Sequence, residues 1–379
     1  MENGRPKNTQ KFPGFRQTSL APRSARRSRA RRGWAVAATM LTASMTLAAC
    51  GGSDAAEGNK NAPITFAGYG GDVQAAFIKA WGEPFSEHTG IKLQEDGPTD
   101  YAKVQQQVMA NQVTWDVVHT EDFWAEAQCG KLLLPLNTDI IDMSAIDPDL
   151  VTNECGAPII QQGYTVAYDT TKYGDAGPAN WVDFFDTEKF PGKRAVYNYP
   201  VILIEAALLA DGVKPDELYP LDVDRAFAKL AKIKDDLVLY DTGAQQQEML
   251  ESGEVPIVMA WTGRLGLAMG DGGATYKSDF QQTLRSTDTL VVPKGTKNVD
   301  GAMKLIAEAL STEGQQSQSE LLYYAPTNLD TDISALPEKK LEFLVTSPEI
   351  SDDSILGDAK WWATNYADVQ ERWTSFISG

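Results

Sequence analysis

The chain has 379 residues, with 52 Asp and Glu against 34 Lys and Arg, a net charge of −18, two histidines and three cysteines. A polypeptide of this length can bury a sizeable core and build two lobes. Its acidity argues against a nucleic-acid partner and permits a cationic ligand, and two histidines without any CxxC spacing point to no metal site.

Ten of the first 33 residues are Lys or Arg, and RSARRSRARRG leads into the uncharged run WAVAATMLTASMTLAA at 34–49. A membrane-spanning helix wants about 20 apolar residues, so this run is short for a permanent anchor. A basic stretch, a short apolar stretch and small residues together describe a secretory signal. Residues 47–51, LAACG, resemble the lipobox of bacterial lipoproteins. That resemblance implies removal of 1–49 and acylation of Cys50, which holds the protein on a membrane without spanning it. The alternative is an uncleaved signal anchor with Cys50 incidental. Sec and twin-arginine export both remain open. Residues 50–62 read as a flexible tether, being small, polar and aperiodic. Loss of the ten basic residues and one acid before position 50 takes the net charge to −27. Outside the cytoplasm the remaining even pair, Cys129 and Cys155, is expected to form a structural disulfide.

From Ile64 onward, β-rich runs alternate with helical ones. ITFAGY reads as a strand. DVQAAFIKAWGEPFSEH reads as a helix with Val73, Phe77 and Trp81 on one stripe, and IKLQE as a strand. YAKVQQQVMANQ is helical and WDVVHT a strand. Further on, KRAVYN is a strand and IEAALLADG a helix stopped by glycine. LDVDRAFAKLAKIKDD reads as a helix starting on Asp222, with Phe227, Leu230 and Ile233 inward. AQQQEMLESG is helical, VPIVMAW and DTLVVPKG are strands, and VDGAMKLIAEALS is a helix. DAKWWATNYADVQERWTSFI closes the chain as an aromatic-rich helix packed across the surface. This alternation predicts an α/β fold of mostly parallel sheets flanked by helices.

Ligands of open α/β sheets sit outside the carboxyl ends of the strands. Those ends present Gly68, Tyr69, Gly70, Gly71 and Asp72; then His119, Thr120, Glu121, Asp122 and Phe123; then Tyr197, Asn198 and Tyr199; and finally Trp261, Thr262, Gly263 and Arg264. Four such ends converging would line a cleft with flat aromatic walls and carboxylates for a cationic ligand. Each residue alone also has a duller reading: Tyr69 in a turn, Trp261 in the core, Glu121 capping a helix.

PFSEHTGIKL and WDVVHTEDFWAEAQCGKLLLPL resemble the first lobe of bacterial ABC-transporter solute-binding proteins. NWVDFFDTEKFPGKRAV, EAALLADGVKPDELYPLDVDRAFAKL and GEVPIVMAWTGR resemble the spermidine/putrescine-type branch, and the likeness runs past YYAPTN at 323–328. The resemblance implies a periplasmic-binding-protein-like (type II) fold, two α/β lobes joined by hinge strands with a ligand cleft between them. Lobe 1 would begin at 63–168, lobe 2 would span 169–287, and 288–379 would return to lobe 1 and add the C-terminal helices. The implied function is a non-enzymatic, lipid-anchored, monomeric component of an ABC importer, without cofactor. It would close on a polyamine such as putrescine or spermidine and deliver it to a permease and ATPase.

Carried over position by position, Tyr69, Tyr240 and Trp261 would flank the methylenes, and Glu121, Glu205 and Asp288 would hold the ammonium groups, with Phe123 beside them. Buried ammonium must find such partners, and cation–π contact adds roughly 0.5–2 kcal/mol. The acidic pair expected near 198–202 is replaced by NYPVI. Arg264 points instead to a ligand carboxylate, hence an opine or amino-acid-like solute, unless it pairs with a local acid. Rival readings are an iron or sugar binder of the same fold, and a secreted hydrolase. Tyr323 and Tyr324 superficially fit an iron site but read better as hinge or cleft-wall residues. No GxSxG elbow, P-loop or GxGxxG fingerprint is present.

Overall fold

The computed structural model describes residues 61–270 and 273–379. The stretch read as an export signal, 1–49, the expected lipidation site Cys50 and nearly all of the expected tether lie outside the described residues. Ten strands form one sheet: β1 (Ile64–Ala67), β2 (Leu93–Asp96), β3 (Val117–Glu121), β4 (Ala157–Asp169), β5 (Arg194–Tyr197), β6 (Leu237–Tyr240), β7 (Ile257–Trp261), β8 (Tyr276–Lys277), β9 (Leu284–Val291) and β10 (Ile355–Leu356). The order is β2-β1-β3-β9-β4-β7-β5-β6, with β10 on β9 and β8 on β4.

Each half of this order is parallel. β1 pairs β2 and β3 in parallel, and β5 pairs β6 and β7 likewise. Between the halves lie β9 and β4, antiparallel to each other and to their outer neighbours. Strand β4 passes from β9 to β7 at Tyr164, which faces Leu284 on one side and Trp261 on the other. The sequence pattern foresaw the parallel halves, but not this long joining strand. All thirteen residues of β4 are buried, so its sequence shows no alternation of apolar and polar residues.

The first helix starts at Gly71 and continues through a π turn at Ile78–Gly82 to Thr89, stopping at Gly90 in the left-handed conformation (φ 70°). Val73, Phe77 and Trp81 are all buried along it. Asp222 caps its helix by accepting from the Arg225 amide, but that helix ends at Leu230. A short 3-10 turn then carries the buried Ile233 inward and leads into β6. The C-terminal helix, Ala359–Ser378, straddles both halves of the sheet. Tyr366 packs on Phe123, Phe376 packs on Phe227, and Trp373 donates to Asn198. Cys129 and Cys155 form a disulfide, 26 residues apart in sequence.

Candidate functional site

The carboxyl ends of β1, β3, β5 and β7 meet the joining strands at one cavity. The cavity is small, about 40 Å³. A larger open groove, about 800 Å³, lies between Phe280 and the 331–348 segment. Its charged groups, Asp332, Glu338 and Glu342, are acidic and exposed, and it lacks the opposed charges of the smaller cavity.

One pole of the small cavity is acidic. Glu121 ends β3 and stands directly opposite Asp288 of β9 in the strand register, and both side chains are buried. Like charges placed opposite each other on neighbouring strands are unfavourable, and more so away from water. Burial, reinforced by the charge of Asp288, pushes the Glu121 carboxyl up to about 8, although hydrogen bonds from Tyr199 and Tyr101 oppose the shift. Oε2 of Glu121 accepts from Tyr199 at 2.9 Å and from Tyr101 at 3.1 Å, and the Tyr101 hydroxyl lies 3.1 Å from that of Tyr69. Burial also raises the neighbouring Asp122 carboxyl to about 7. Asp288 is held by Gln162 Nε2 at 3.0 Å, and His119 Nε2 comes within 2.8 Å of it. That imidazole nitrogen lies off the line of a hydrogen bond and has no hydrogen-bond partner.

The other pole is rich in donors. Arg264 sits in the first turn of the helix Thr262–Gly270 and is buried. Its guanidinium meets only neutral groups: Gln247 Oε1 at 3.2 Å, the Gly70 carbonyl at 3.5 Å, and the Tyr324 side chain. Among the described residues no carboxylate forms an ion pair with it, and its Nε has no partner. Nε1 of Trp261 is likewise buried without an acceptor. Buried donors left unsatisfied cost roughly 1–3 kcal/mol each, so an acceptor placed at these two atoms would be favourable. A Cβ at Gly243 would lie 2.6 Å from the Trp261 ring and 2.9 Å from Arg264 Nε, so those side chains would have to shift.

Between the poles the walls are aromatic: Tyr69, Tyr164, Tyr197, Trp261 and Tyr324. Of the residues expected from sequence, Tyr69, Glu121, Trp261, Arg264 and Asp288 line the cavity; Phe123, Glu205 and Tyr240 do not. Phe123 packs against Tyr199 and Tyr366. Glu205 accepts from Tyr219 at 2.6 Å and from Trp362 Nε1 at 2.5 Å, away from the cavity. Tyr240 stacks behind Tyr197 and donates to the Met259 carbonyl. His119 and Tyr197, from the strand ends expected to line a cleft, and Tyr324, read as hinge or cleft wall, also line the cavity, joined by Gln162 and Tyr164 of β4, to which no strand end pointed. Tyr323 turns away to pack on Phe343, so the adjacent tyrosines of an iron clamp do not both face the cavity.

Residues 80–343 match the family model described as bacterial extracellular solute-binding protein. The chain is 31% identical over 328 residues to the gamma-aminobutyric acid-binding protein of Pseudomonas aeruginosa, covering 83% of this chain and 91% of the relative. It is 24% identical to spermidine/putrescine-binding periplasmic protein 1 of Haemophilus influenzae, covering 86% and 93%. Among solved structures, a GABA receptor superposes with a TM-score of 0.76 at 38% identity, covering 83% of this chain and 97% of that one. AgtB from A. tumefaciens R10, in complex with agropinic acid, superposes with a TM-score of 0.77 at 30% identity, covering 84% and 99%.

Proposed function

The chain belongs to the bacterial extracellular solute-binding proteins, and from that premise we propose that its solute is a short molecule carrying an ammonium at one end and a carboxylate at the other, of the γ-aminobutyric acid kind. The family members it resembles are binding proteins rather than enzymes, with the periplasmic-binding-protein-like fold, and the chain is the solute-binding component of an ABC importer. Among the described residues no helix is long and apolar enough to cross a membrane.

The observation that carries the ligand reading is the pairing of an uncompensated buried guanidinium with two opposed buried carboxylates in one cavity. An ammonium at Glu121 and Asp288 takes the place of the proton that burial and the charge of Asp288 otherwise keep on Glu121. A carboxylate at Arg264 and Trp261 Nε1 supplies the acceptor those donors lack. The aromatic walls take the methylenes and add cation–π contact at the ammonium end. Tyr199, Gln247 and Arg264 reach groups of the first half from the second, which fits a closed form with the solute trapped between lobes. We assign the lobes to 63–168, 169–287 and 288–379, with β4 and β9 as hinge strands, and we assign Cys50 as the lipid attachment of a monomeric protein.

A polyamine remains the second reading, favoured by Glu121, Asp122 and Asp288 clustering near one pole and by the spermidine/putrescine-binding relatives. Arg264 weighs against it, because a second ammonium would face an unneutralised guanidinium. The small cavity also suits a short chain better than spermidine. The test is calorimetric titration of the purified protein with γ-aminobutyric acid, putrescine, spermidine and an opine. Heat with γ-aminobutyric acid and none with putrescine or spermidine is expected. Tight binding of putrescine with silence for every carboxylate-bearing solute would overturn the reading.

A further inference from the structure

We propose that Gln247 is a positioning residue that couples recognition of the solute's carboxylate to contact between the two halves of the sheet. The inference rests on the zwitterion reading of the cavity. Gln247 lies on the helix Gly243–Ser252, which Thr242 and Gln245 fix with a capping box. Its Oε1 accepts from Arg264 Nη1 at 3.2 Å, and its Nε2 donates to Asp72 Oδ2 at 3.1 Å and to Glu251 Oε1 at 3.0 Å. Asp72 belongs to the opposite half, in the first turn of the helix that follows β1. The amide is therefore the middle of a chain running from Asp72 to the guanidinium.

The chemistry of this position admits few side chains. The middle group must accept from a cation on one side and donate to two carboxylates on the other, which an amide does and neither an acid nor a base can do. The amide orientation is fixed by the same requirement, since the reversed form would turn its NH₂ on Arg264 and its oxygen on Asp72 and Glu251. Neutrality matters equally. A carboxylate at 247 would pair with Arg264 and compete with the solute, whereas the amide orients the guanidinium and leaves its charge for the ligand. When the halves separate, Asp72 withdraws from Gln247 and the Gly70 carbonyl from Arg264, so the carboxylate site is complete only in the closed form.

The test compares γ-aminobutyric acid with n-butylamine, the same chain without the carboxylate, by calorimetry and by competition on wild type, Gln247→Met and Gln247→Glu. Gln247→Met keeps the length and loses all three hydrogen bonds. It is expected to weaken γ-aminobutyric acid about tenfold while changing butylamine less than about twofold, with an unaltered melting temperature. Gln247→Glu is expected to weaken γ-aminobutyric acid further and to favour butylamine relative to wild type. Equal losses for both solutes, or no loss for either, would overturn the coupling role while leaving the wild-type ligand reading intact. A wild type that binds no carboxylate-bearing solute overturns both.

Discussion

Tyr199 reaches from beyond the end of β5 to donate a 2.9 Å hydrogen bond to Oε2 of Glu121 at the end of β3, so an acid of one half of the sheet is held by a phenol of the other. The same oxygen accepts from Tyr101, and Asp288 stands opposite in the register. The hydrogen bonds favour the carboxylate, but burial and the charge of Asp288 outweigh them and leave the group at about 8. Below that pH the empty site holds a proton on Glu121.

Capture of an ammonium at this pole requires that proton to leave. Affinity is therefore expected to rise between pH 6 and 8, by at most about tenfold per pH unit for one proton, and to level off above about 8 until the solute's own amine titrates. Calorimetry across pH, in buffers of different ionisation enthalpy, checks both the slope and the released proton. Glu121→Gln should flatten the profile and weaken binding by roughly 10- to 100-fold. A profile that stays flat in the wild type would place the ammonium elsewhere.

Stability of the solute-free protein follows with the opposite sense. Glu121 and Asp122 both titrate higher in the folded chain than at their ordinary values, at about 8 and about 7. The folded state then binds more protons than the unfolded state between those limits, so stability from these groups is complete below about pH 4 and is lost as pH rises through 7 to 8. The melting temperature is expected to fall from pH 5 to pH 8, and to fall less in Glu121→Gln. Thermal melts with and without saturating solute check this, since an ammonium at the site should remove most of the slope.

Arg264→Met should cost carboxylate recognition and spare the ammonium pole. Loss of a charge-assisted contact of about 1.5–3 kcal/mol corresponds to a decrease of roughly 10- to 100-fold for γ-aminobutyric acid, with little change for an amine of equal length. Gly243→Ala should mimic this by forcing Trp261 and Arg264 apart. Displacement titrations on both variants check it.

Much of this site could be read from the sequence because strand ends are recognisable. ITFA runs into Gly68 and Tyr69, WDVV into His119, Thr120 and Glu121, and VPIVMA into Trp261 with Arg264 three residues on. Strand β4 escaped because APIIQQGYTVAYD carries two glutamines and a glycine within a fully buried run. The glutamines are tolerated there because Gln161 bonds the Pro326 carbonyl and Gln162 bonds Asp288. Once the strand is known, Ile160, Gln162 and Tyr164 fall on one face by simple alternation, and all three line the cavity. Glu205 illustrates the reverse error, since nothing local to IEAALLADG reveals that Tyr219 and Trp362 already occupy its carboxylate.

That occupancy gives a prediction of its own. Glu205 is fully buried, and burial raises its carboxyl despite hydrogen bonds from Tyr219 and Trp362. Glu205→Gln should keep an oxygen acceptor and leave solute affinity within about twofold. Glu205→Ala leaves the buried Trp362 Nε1 and the partly buried Tyr219 hydroxyl without their acceptor and should destabilise the fold by about 1–3 kcal/mol for the first and less for the second. Denaturant melts paired with solute titration separate this structural role from a ligand contact, for which affinity would fall in both variants.

The disulfide is expected to act on the unfolded chain rather than on the cavity. It joins the end of the helix that follows β3 to the segment just before β4, closing a loop with a sequence separation of 26. Neither cysteine lines the cavity. In the chain-entropy account such a loop contributes about 3–4 kcal/mol by restricting the unfolded ensemble. Replacing both cysteines with serine should lower the unfolding free energy by that amount, read as an earlier denaturant midpoint at unchanged slope, and leave solute affinity unchanged at temperatures where the variant stays folded. Joint loss of stability and affinity would instead mean that the loop between Cys129 and Cys155 holds β3 and β4 in the spacing the solute requires.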